Sequence, residues 1–212
     1  MLKESYIPDF DEFKEKGVYR VPLSEPRVVF KKEIEDPENN PFPTPSGKIE
    51  IYSQRLADMD NPEIPPIPKY IESWESRNDP VSEKYPLQLI TSHFKRRAHS
   101  QFENVPWLRE LAPQALLMNV QDGKARGIRS GDKVKVFNDR GQVIIPVITT
   151  QRILPGVVDM PQGAWYKPDE DGIDLGGCAN VLTRGMHSPG GAAVHNTGLV
   201  QVERVKEKVK CS

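Results

Sequence analysis

Cysteine is scarce in this chain of 212 residues, which contains only Cys178 and Cys211. Two cysteines are too few for a disulfide framework, and no C-x-x-C motif is present to bind zinc or an iron–sulfur cluster. An excess of charge is also lacking, since 29 basic side chains stand against 30 acidic ones. Without an overall field or a long apolar run, we expect no nucleic-acid partner and no direct membrane insertion.

The familiar catalytic signatures are missing as well. The chain has no phosphate-binding G-x-x-x-x-G-K-[ST] loop, no G-x-G-x-x-G, no G-x-S-x-G elbow and no H-E-x-x-H. A zinc site needs three or four ligands, and His93 and His99 have no cysteine or acidic partner at ligand spacing. We therefore predict no catalytic residue and no metal ligand in this chain. The first twenty residues lack an apolar h-region and twin arginines, so we expect no export signal in the chain as given.

Turn-forming residues are abundant, with 20 prolines and 15 glycines. This composition favours a mainly β architecture of short elements with few helices. Near the start, Asp9 and Gly17 are typical of the two ends of a short helix. Residues 48–52 alternate as a strand does, and Ser53 can cap a short helix after it. Residues 61–69 read as a Pro-rich linker, which places a boundary near residues 70–84.

The most informative stretch runs from residue 118 to 161. Asn119 is suited to cap a short helix that Gly127 closes in a left-handed conformation. Residues 133–137 then alternate valine with lysine or phenylalanine, which predicts a half-buried strand. Residues 142–150 are apolar and β-branched on both faces, so we expect a strand buried in a closed barrel or a sandwich.

Further elements flank this stretch. Pro146 interrupts the apolar run, which indicates an edge, a bulge or a strand crossing. Residues 85–92 and 199–205 are predicted strands. Asn104 is suited to cap a helix over the sequence VPWLRELA, and we expect this helix to face the core through Trp107, Leu108 and Leu111.

Polar residues cluster in four loops that follow strands, at residues 91–101, 162–166, 178–184 and 187–197. Most are neutral side chains that hydrogen-bond without titrating, and such groups suit the edge of a heteroaromatic ring or a sugar. They are Ser92, Ser100, Gln162, Asn180, Thr183, Asn196 and Thr197. The cationic run of Lys95, Arg96 and Arg97 beside His93 and His99 would suit phosphate oxygens.

The order of residues from 127 to 157, G-I-x-x-G-D-x-V-x-V-x-N-x-x-G followed by I-x-P-G-V, resembles a known domain. It is similar to the molybdopterin dinucleotide-binding domain that ends the large subunit of dimethyl sulfoxide reductase-family enzymes. The upstream segment TPSGKIEIYS resembles the stretch by which that family enters this domain. The likeness covers about residues 42–205.

The resemblance implies a double-psi β-barrel of the aspartate decarboxylase-like kind, with a few short helices and an extended N-terminal segment. Residues 1–40 would be the partly helical tail of a preceding domain, and residues 41–84 a connector of strand, helix and Pro-rich linker. Residues 85–205 would form the barrel, and residues 206–212 a frayed tail.

The resemblance also implies a cofactor, molybdopterin guanine dinucleotide, two copies of which hold molybdenum in the complete enzyme. We expect the isolated chain to bind it weakly at best. The implied cofactor-binding residues come from all four polar loops. They are Ser92, His93, Arg97, His99, Ser100, Gln162, Gly163, Ala164, Trp165, Asn180, Leu182, Thr183, His195, Asn196 and Thr197.

By the same resemblance, this chain would be a module of a molybdenum oxidoreductase and inactive alone. Its partners would be the other domains of the large subunit, an iron–sulfur electron-transfer subunit and a membrane anchor. The parent enzyme would be periplasmic or face outward at a bacterial cytoplasmic membrane. Dimethyl sulfoxide, another S- or N-oxide, selenate and nitrate all stay open as substrates, and so does the direction of electron flow.

Two other classes share the barrel. A pyruvoyl-dependent aspartate decarboxylase begins by self-cleavage at Gly-Ser, and the chain contains no such dipeptide. A non-enzymatic adaptor or interaction domain is the remaining alternative, although it leaves the clustering of polar residues after strands unexplained.

Overall fold

A computed structural model of the protein describes residues 9–206. Cys211 and most of the predicted frayed tail lie outside the described residues. The chain divides into two compact units, one of residues up to 60 with 66–68 and the other of 61–65 with the residues from 69 onward. The division falls within the predicted connector, while the domain bounds inferred from the sequence stay a prediction. No helix among the described residues is long and apolar enough to cross a membrane.

The first unit contains three short helices, α1 (Phe10–Lys16), α2 (Lys31–Glu35) and α3 (Gln54–Ala57). The predicted ends of α1 are confirmed: the Asp9 carboxylate accepts two backbone N–H groups, and Gly17 adopts a φ of 68°. Ser53 caps α3 as predicted, its hydroxyl accepting the N–H of Leu56 at 3.3 Å.

The predicted strand over residues 48–52 is wrong. Bends and irregular backbone occupy this stretch, and Ile49 and Ile51 are 75% and 78% exposed. Alternation of apolar and polar residues yields a strand only where another strand takes up the backbone hydrogen bonds. The described part of the first unit contains no strand to pair with.

The second unit is built on six strands. They are β1 (Leu87–Ile90), β2 (Leu116–Asn119), β3 (Lys133–Asn138), β4 (Gly141–Thr150), β5 (Val157–Asp159) and β6 (Gly198–Arg204). Around them lie α4 (Pro106–Leu111), α5 (Val120–Ala125) and two 3₁₀ turns, Pro80–Glu83 and Ala179–Val181. The strands close into a barrel in the order β1-β5-β2-β4-β3-β6, with β1 parallel to β5 and β2 parallel to β4. Closure leaves no strand edge unpaired, and it confirms the predicted closed β-barrel.

Alternate residues of each strand fill the barrel. In β3, Val134 and Val136 are fully buried, and in β4 Val143, Ile145 and Val147 point inward with them. Each such side chain contributes about 1.5–3 kcal/mol to folding. Because the periodicity of side chains along a strand is two residues, the positions between them lie outside.

Strand β4 lies in the closed barrel, as predicted. Its outer face is only partly buried, because Pro146 is exposed and Ile148 is 47% exposed. Pro146 does lie where β4 exchanges neighbours, as a strand crossing requires. The ladder with β3 ends at the pair Lys133 and Pro146, and the ladder with β2 begins at Leu116 and Val147.

The capping of α5 is confirmed. The side-chain oxygen of Asn119 accepts the N–H of Gln121 at 2.8 Å, and Gly127 follows the helix with a φ of 63°. The expectations for α4 are wrong. The residue that precedes it is Val105, no side chain caps it, and Trp107 and Leu111 are 61% and 63% exposed. Of the three residues expected to face the core, only Leu108 is half-buried, and Trp107 and Leu111 stay exposed.

Candidate functional site

One end of the barrel carries all the predicted polar loops, because strand directions bring them together. The parallel strands β1 and β5 both finish there, with Ile90 beside Asp159. Strand β6 is antiparallel to β1 and starts at this end, with Gly198 beside Leu89. The loops that follow β1 and β5 and the one that precedes β6 therefore share a single rim.

Buried Arg97 joins the loop after β1 to the loop after β5. Its guanidinium forms a 2.6 Å ion pair with Glu103, and both side chains are less than a tenth exposed. It also donates to the carbonyl of Gln162 at 3.0 Å and stacks over the ring of Phe94 at 4.2 Å. Its Nε is buried without a hydrogen-bond partner within the described residues. The contacts of this guanidinium therefore fix the two loops relative to each other, and its role is structural positioning.

The same two loops approach each other at Gly163. A Cβ at this position would lie 1.9 Å from the carbonyl oxygen of His99, so no side chain fits between the backbones. The indole N–H of Trp165 donates to the carbonyl of Ser100 at 2.9 Å, and the N–H of Gln162 donates to the carbonyl of Ser92. The rings of His93 and His99 lie 5.4 Å apart. These contacts bring together the predicted residues of the first two loops.

Gln114, just before β2, links this pair of loops to the third. Its Oε1 accepts from Arg97 at 2.8 Å, while its Nε2 donates to the carbonyls of Pro161 and Gly177 at 2.8 and 3.1 Å. The amide nitrogen thus binds loop backbone on both sides, while the amide oxygen binds the buried guanidinium of Arg97. Gln114 therefore sets the distance between the loop after β5 and the segment that begins at Gly177.

The third loop is organised by Asp174, which is completely buried. Its carboxylate accepts four backbone N–H groups, from Lys167, Gly176, Gly177 and Cys178, at 2.6–3.0 Å. A buried carboxylate needs such donors because desolvation of a charge is costly. Burial also raises the pKa of the adjacent Cys178 thiol, so this group is predominantly protonated at neutral pH.

Within the segment that follows, Asn180 is exposed and Thr183 is half-buried, whereas Leu182 is fully buried in the core. The Leu182 side chain therefore serves the barrel, and only its backbone reaches the rim. Ala164 is likewise buried. The Arg97 side chain is also buried. The remaining predicted residues keep at least part of their surface accessible.

The fourth loop is attached through Asn196. Its side-chain oxygen accepts the N–H of Thr91 at 2.7 Å and the hydroxyl of Thr91 at 3.2 Å, so its amide nitrogen remains available. His195 is exposed, and its side chain forms no hydrogen bond within residues 9–206. The structure therefore brings Asn196 into the cluster and leaves His195 at its margin.

Sequence reasoning missed the buried and half-buried polar residues that support the rim. Besides Gln114 and Asp174, these include Asp159, whose carboxylate accepts the N–H and hydroxyl of Ser92 at 3.0 and 2.7 Å. Each stands at the end of an apolar strand or beside glycines, which is the signal that could have identified it. Within residues 9–206 no group of three or more His, Cys, Asp or Glu side chains is arranged to hold a metal ion.

The rim suits a large, flat and polar ligand. Four neutral side chains form no hydrogen bond to the rest of the described chain, those of Gln162, Asn180, Thr183 and Thr197. Lys95 and Arg96 are exposed in the loop after β1. Neutral donors and acceptors with nearby cations match a heteroaromatic ring system that carries phosphate. These features define a β-barrel domain that binds a cofactor.

Comparison with known proteins gives the family. Residues 87–197 match the model of the molydopterin dinucleotide binding domain. The chain is 46% identical to dimethyl sulfoxide reductase DmsA of Escherichia coli (strain K12) over 211 residues, which is 94% of this chain and 26% of that protein. It is 38% identical to trimethylamine-N-oxide reductase 1 of the same organism, covering 97% of this chain and 26% of the relative. The chain thus spans about a quarter of the length of these relatives.

The fold has a relative among solved structures, acetylene hydratase from Pelobacter acetylenicus. The TM-score is 0.66 at 19% identity, covering 80% of this chain and 25% of the hydratase. This likeness concerns the fold alone, and it agrees with the predicted double-psi β-barrel.

The chain belongs to the molydopterin dinucleotide binding domain family. The predicted family and the predicted class of cofactor are thereby confirmed. The alternative of a non-enzymatic adaptor is set aside, because the family is a cofactor-binding one. The individual cofactor contacts stay a prediction.

Proposed function

We propose that this chain grips molybdopterin guanine dinucleotide within the large subunit of a molybdenum oxidoreductase of the dimethyl sulfoxide or trimethylamine N-oxide reductase type. The observation that carries the proposal is the free hydrogen-bonding set at one end of the barrel. Gln162, Asn180, Thr183 and Thr197 all lie there with side chains that no described residue engages. Family membership supports the identity of the ligand.

The residues divide into those that touch the cofactor and those that hold them. Asn180 and Thr183 would read the edge of the pterin, and Gln162 and Thr197 would add contacts from the neighbouring loops. Lys95 and Arg96 would meet phosphate oxygens with charge-assisted hydrogen bonds. Gly163 lets the loop backbones approach closely enough to form a continuous surface.

When bound, molybdenum and its dithiolene sulfurs supply the oxygen-atom transfer chemistry, while this domain supplies binding and orientation. The described part of the chain contributes no cluster of metal ligands. We therefore propose that the domain does not turn over substrate by itself. Dimethyl sulfoxide and other S- or N-oxides are the proposed substrates of the complete enzyme, by analogy with its relatives.

The parent enzyme would be part of an anaerobic respiratory chain at the bacterial membrane. We propose that its large subunit joins an iron–sulfur electron-transfer subunit and a membrane anchor, and that it faces the periplasm. Support for this arrangement comes from the likeness to dimethyl sulfoxide reductase chains.

The site is tested by cofactor retention. The domain is joined to the remainder of a family large subunit, and bound pterin is measured by fluorescence after oxidative release, with and without Asn180→Ala and Thr183→Ala. Each lost hydrogen bond costs about 1 kcal/mol, which is about fivefold in affinity. We expect each variant to retain several-fold less pterin during dialysis, and the double variant to retain about 25-fold less.

Gln121→Ala is the matched control. Gln121 is exposed in α5, which follows the opposite end of β2 from Gln114, so its loss should not change retention. Unchanged pterin content in the Asn180→Ala, Thr183→Ala double variant would show that the site is assigned wrongly.

A further inference from the structure

A buried carboxylate outside the family match approaches the proposed pterin-reading segment. Glu75 lies 12 residues before the start of the match at residue 87, and it is only 6% exposed. Its backbone adopts a φ of 52°, in the left-handed region that non-glycine residues rarely occupy. Such a conformation persists only where surrounding contacts enforce it, and it places this carboxylate against the barrel rim.

Glu75 forms a two-pronged ion pair with Arg140, which lies in the turn between β3 and β4. Nη1 of Arg140 donates to one carboxylate oxygen at 2.6 Å and Nη2 to the other at 2.9 Å. A second edge of the Arg140 guanidinium faces the backbone at residue 182. Nε and Nη2 both donate to the carbonyl of Leu182, at 3.0 and 2.7 Å. The planar guanidinium therefore bridges Glu75 to the backbone at residue 182.

The carbonyl of Leu182 sits between the two residues proposed to read the pterin. It belongs to the peptide that enters Thr183, and Asn180 is two residues earlier in the 3₁₀ turn. Asn138 also donates to this oxygen at 2.9 Å, so three donors fix the orientation of one peptide plane. Fixing this plane restricts the relative placement of the Asn180 and Thr183 side chains.

The same carboxylate reaches a second ligand-facing segment. The Glu75 oxygen that pairs with Nη2 also accepts the backbone N–H of Leu199 at 3.1 Å. Leu199 is the second residue of β6, two residues after Thr197. One buried side chain thus ties together the segment 179–183 and the start of β6.

We infer that Glu75 and Arg140 are positioning residues, which hold the Asn180–Thr183 segment and the Thr197 segment in register for the cofactor. The inference rests on the proposed function. It extends the site to a residue that contacts no ligand itself and lies upstream of the matched domain. The two-pronged geometry demands a guanidinium, because a lysine ammonium cannot bridge a carboxylate and a carbonyl in one plane.

Hydrogen exchange on the 212-residue chain without cofactor tests whether Glu75 and Arg140 hold the Asn180–Thr183 segment in place. The N–H groups of Val181 and Leu182 bond to Cys178 and Ala179 within the segment, so their exchange reports its opening. We expect Glu75→Gln and Arg140→Lys each to accelerate exchange at these two amides at least tenfold, with the amide of Val136 in β3 changing less than twofold.

Asp132→Asn is the matched control, since it also converts a carboxylate that pairs with an arginine, Arg204, into an amide. Asp132 precedes β3 at the end of the barrel opposite the rim, and we expect it to leave exchange at Val181 and Leu182 within twofold. Equal acceleration by Asp132→Asn, or acceleration spread over the whole barrel, would reduce Glu75 to a general stabilising residue and overturn the inference.

Pterin retention in the reconstituted large subunit tests whether this positioning supports cofactor binding. Glu75→Gln should reduce retained pterin about as much as Asn180→Ala does, whereas Asp132→Asn should not. Retention equal to that of the unmodified protein would also overturn the inference. The cofactor site and the positioning role of Glu75 can be rejected independently. The exchange experiment contains no ligand and bears on positioning alone, whereas the Asn180→Ala and Thr183→Ala variants test the cofactor site.

Discussion

Individual buried carboxylates and amides hold the loops of this domain. Glu103, Asp159 and Asp174 are all less than a tenth exposed, and each one binds an arginine, a hydroxyl or a series of backbone N–H groups. A buried charge left without partners would destabilise the fold, so each carboxylate constrains whatever donates to it. At the scale of the residue, the rim is therefore a set of loops whose backbones are fixed by polar side chains.

Gly163 offers the clearest single-residue test of this packing. Gly163→Ala would place a methyl group 1.9 Å from the carbonyl oxygen of His99, at a φ of 92° that also disfavours a side chain. The matched control is Gly131→Ala, because Gly131 has a φ of 91° and open space around its Cβ position. We expect the control to cost about 1–2 kcal/mol of unfolding free energy through backbone strain alone.

Gly163→Ala should cost about 3 kcal/mol or more, because the loops must also separate. Urea denaturation followed by circular dichroism gives both values. Equal losses in the two variants would mean that the close contact between the loops is absent in solution.

At the scale of the element, two side chains join α5 to the turn after β4. Asn119 caps α5 through its oxygen and donates through Nδ2 to the carbonyl of Ile153 at 2.6 Å. Asp122 in the first turn of α5 accepts the N–H of Gly156 at 2.7 Å. The short helix is thus held at both contacts against the turn that leads into β5.

Two substitutions separate the contributions of Asn119. Asn119→Ser keeps an N-cap oxygen and loses the bond to Ile153, whereas Asn119→Ala loses both. We expect the alanine variant to be less stable than the serine variant by about 1 kcal/mol, which is the typical worth of a cap. Thermal or urea unfolding of the two variants measures this difference, and identical stabilities would argue against a capping role.

At the scale of the whole molecule, one helix leaves a large apolar face exposed. Trp107 and Leu111 lie four residues apart on α4, hence on one side of it, and both are more than 60% exposed. Exposed apolar patches of this kind promote association with other surfaces. We expect the isolated chain to self-associate through this face.

The double variant Trp107→Gln, Leu111→Gln should reduce light scattering of concentrated solutions. It should change the free energy of unfolding by less than about 0.5 kcal/mol per site, because neither side chain is in the core. Ile148→Gln, at a 47% exposed position on β4, serves as the comparison and should affect scattering less. A marked loss of stability in the double variant would mean that α4 packs inward after all.

The features that short-range patterns predict correctly are local. The Asn119 cap, the alternating strand β3 and the ends of α1 depend on residues within a few positions of one another, so their patterns predict them well. The order of motifs was also sufficient to indicate the family, the closed barrel and the polar loops. Where a pattern needed a distant partner, as for the strand over residues 48–52 or the buried face of α4, the prediction was wrong.

The residues that support the rim are defined by contacts between segments far apart in the chain. Glu75 meets Arg140 across 65 positions and Leu199 across 124, and Gln114 meets Gly177 across 63. Position beside an apolar strand is the one local signal for Gln114, and nothing in the sequence around Glu75 distinguishes it from an ordinary surface residue. Their role arises because closure of the barrel excludes water from them, and a polar group without water must find its hydrogen bonds in whichever segments the fold has brought beside it.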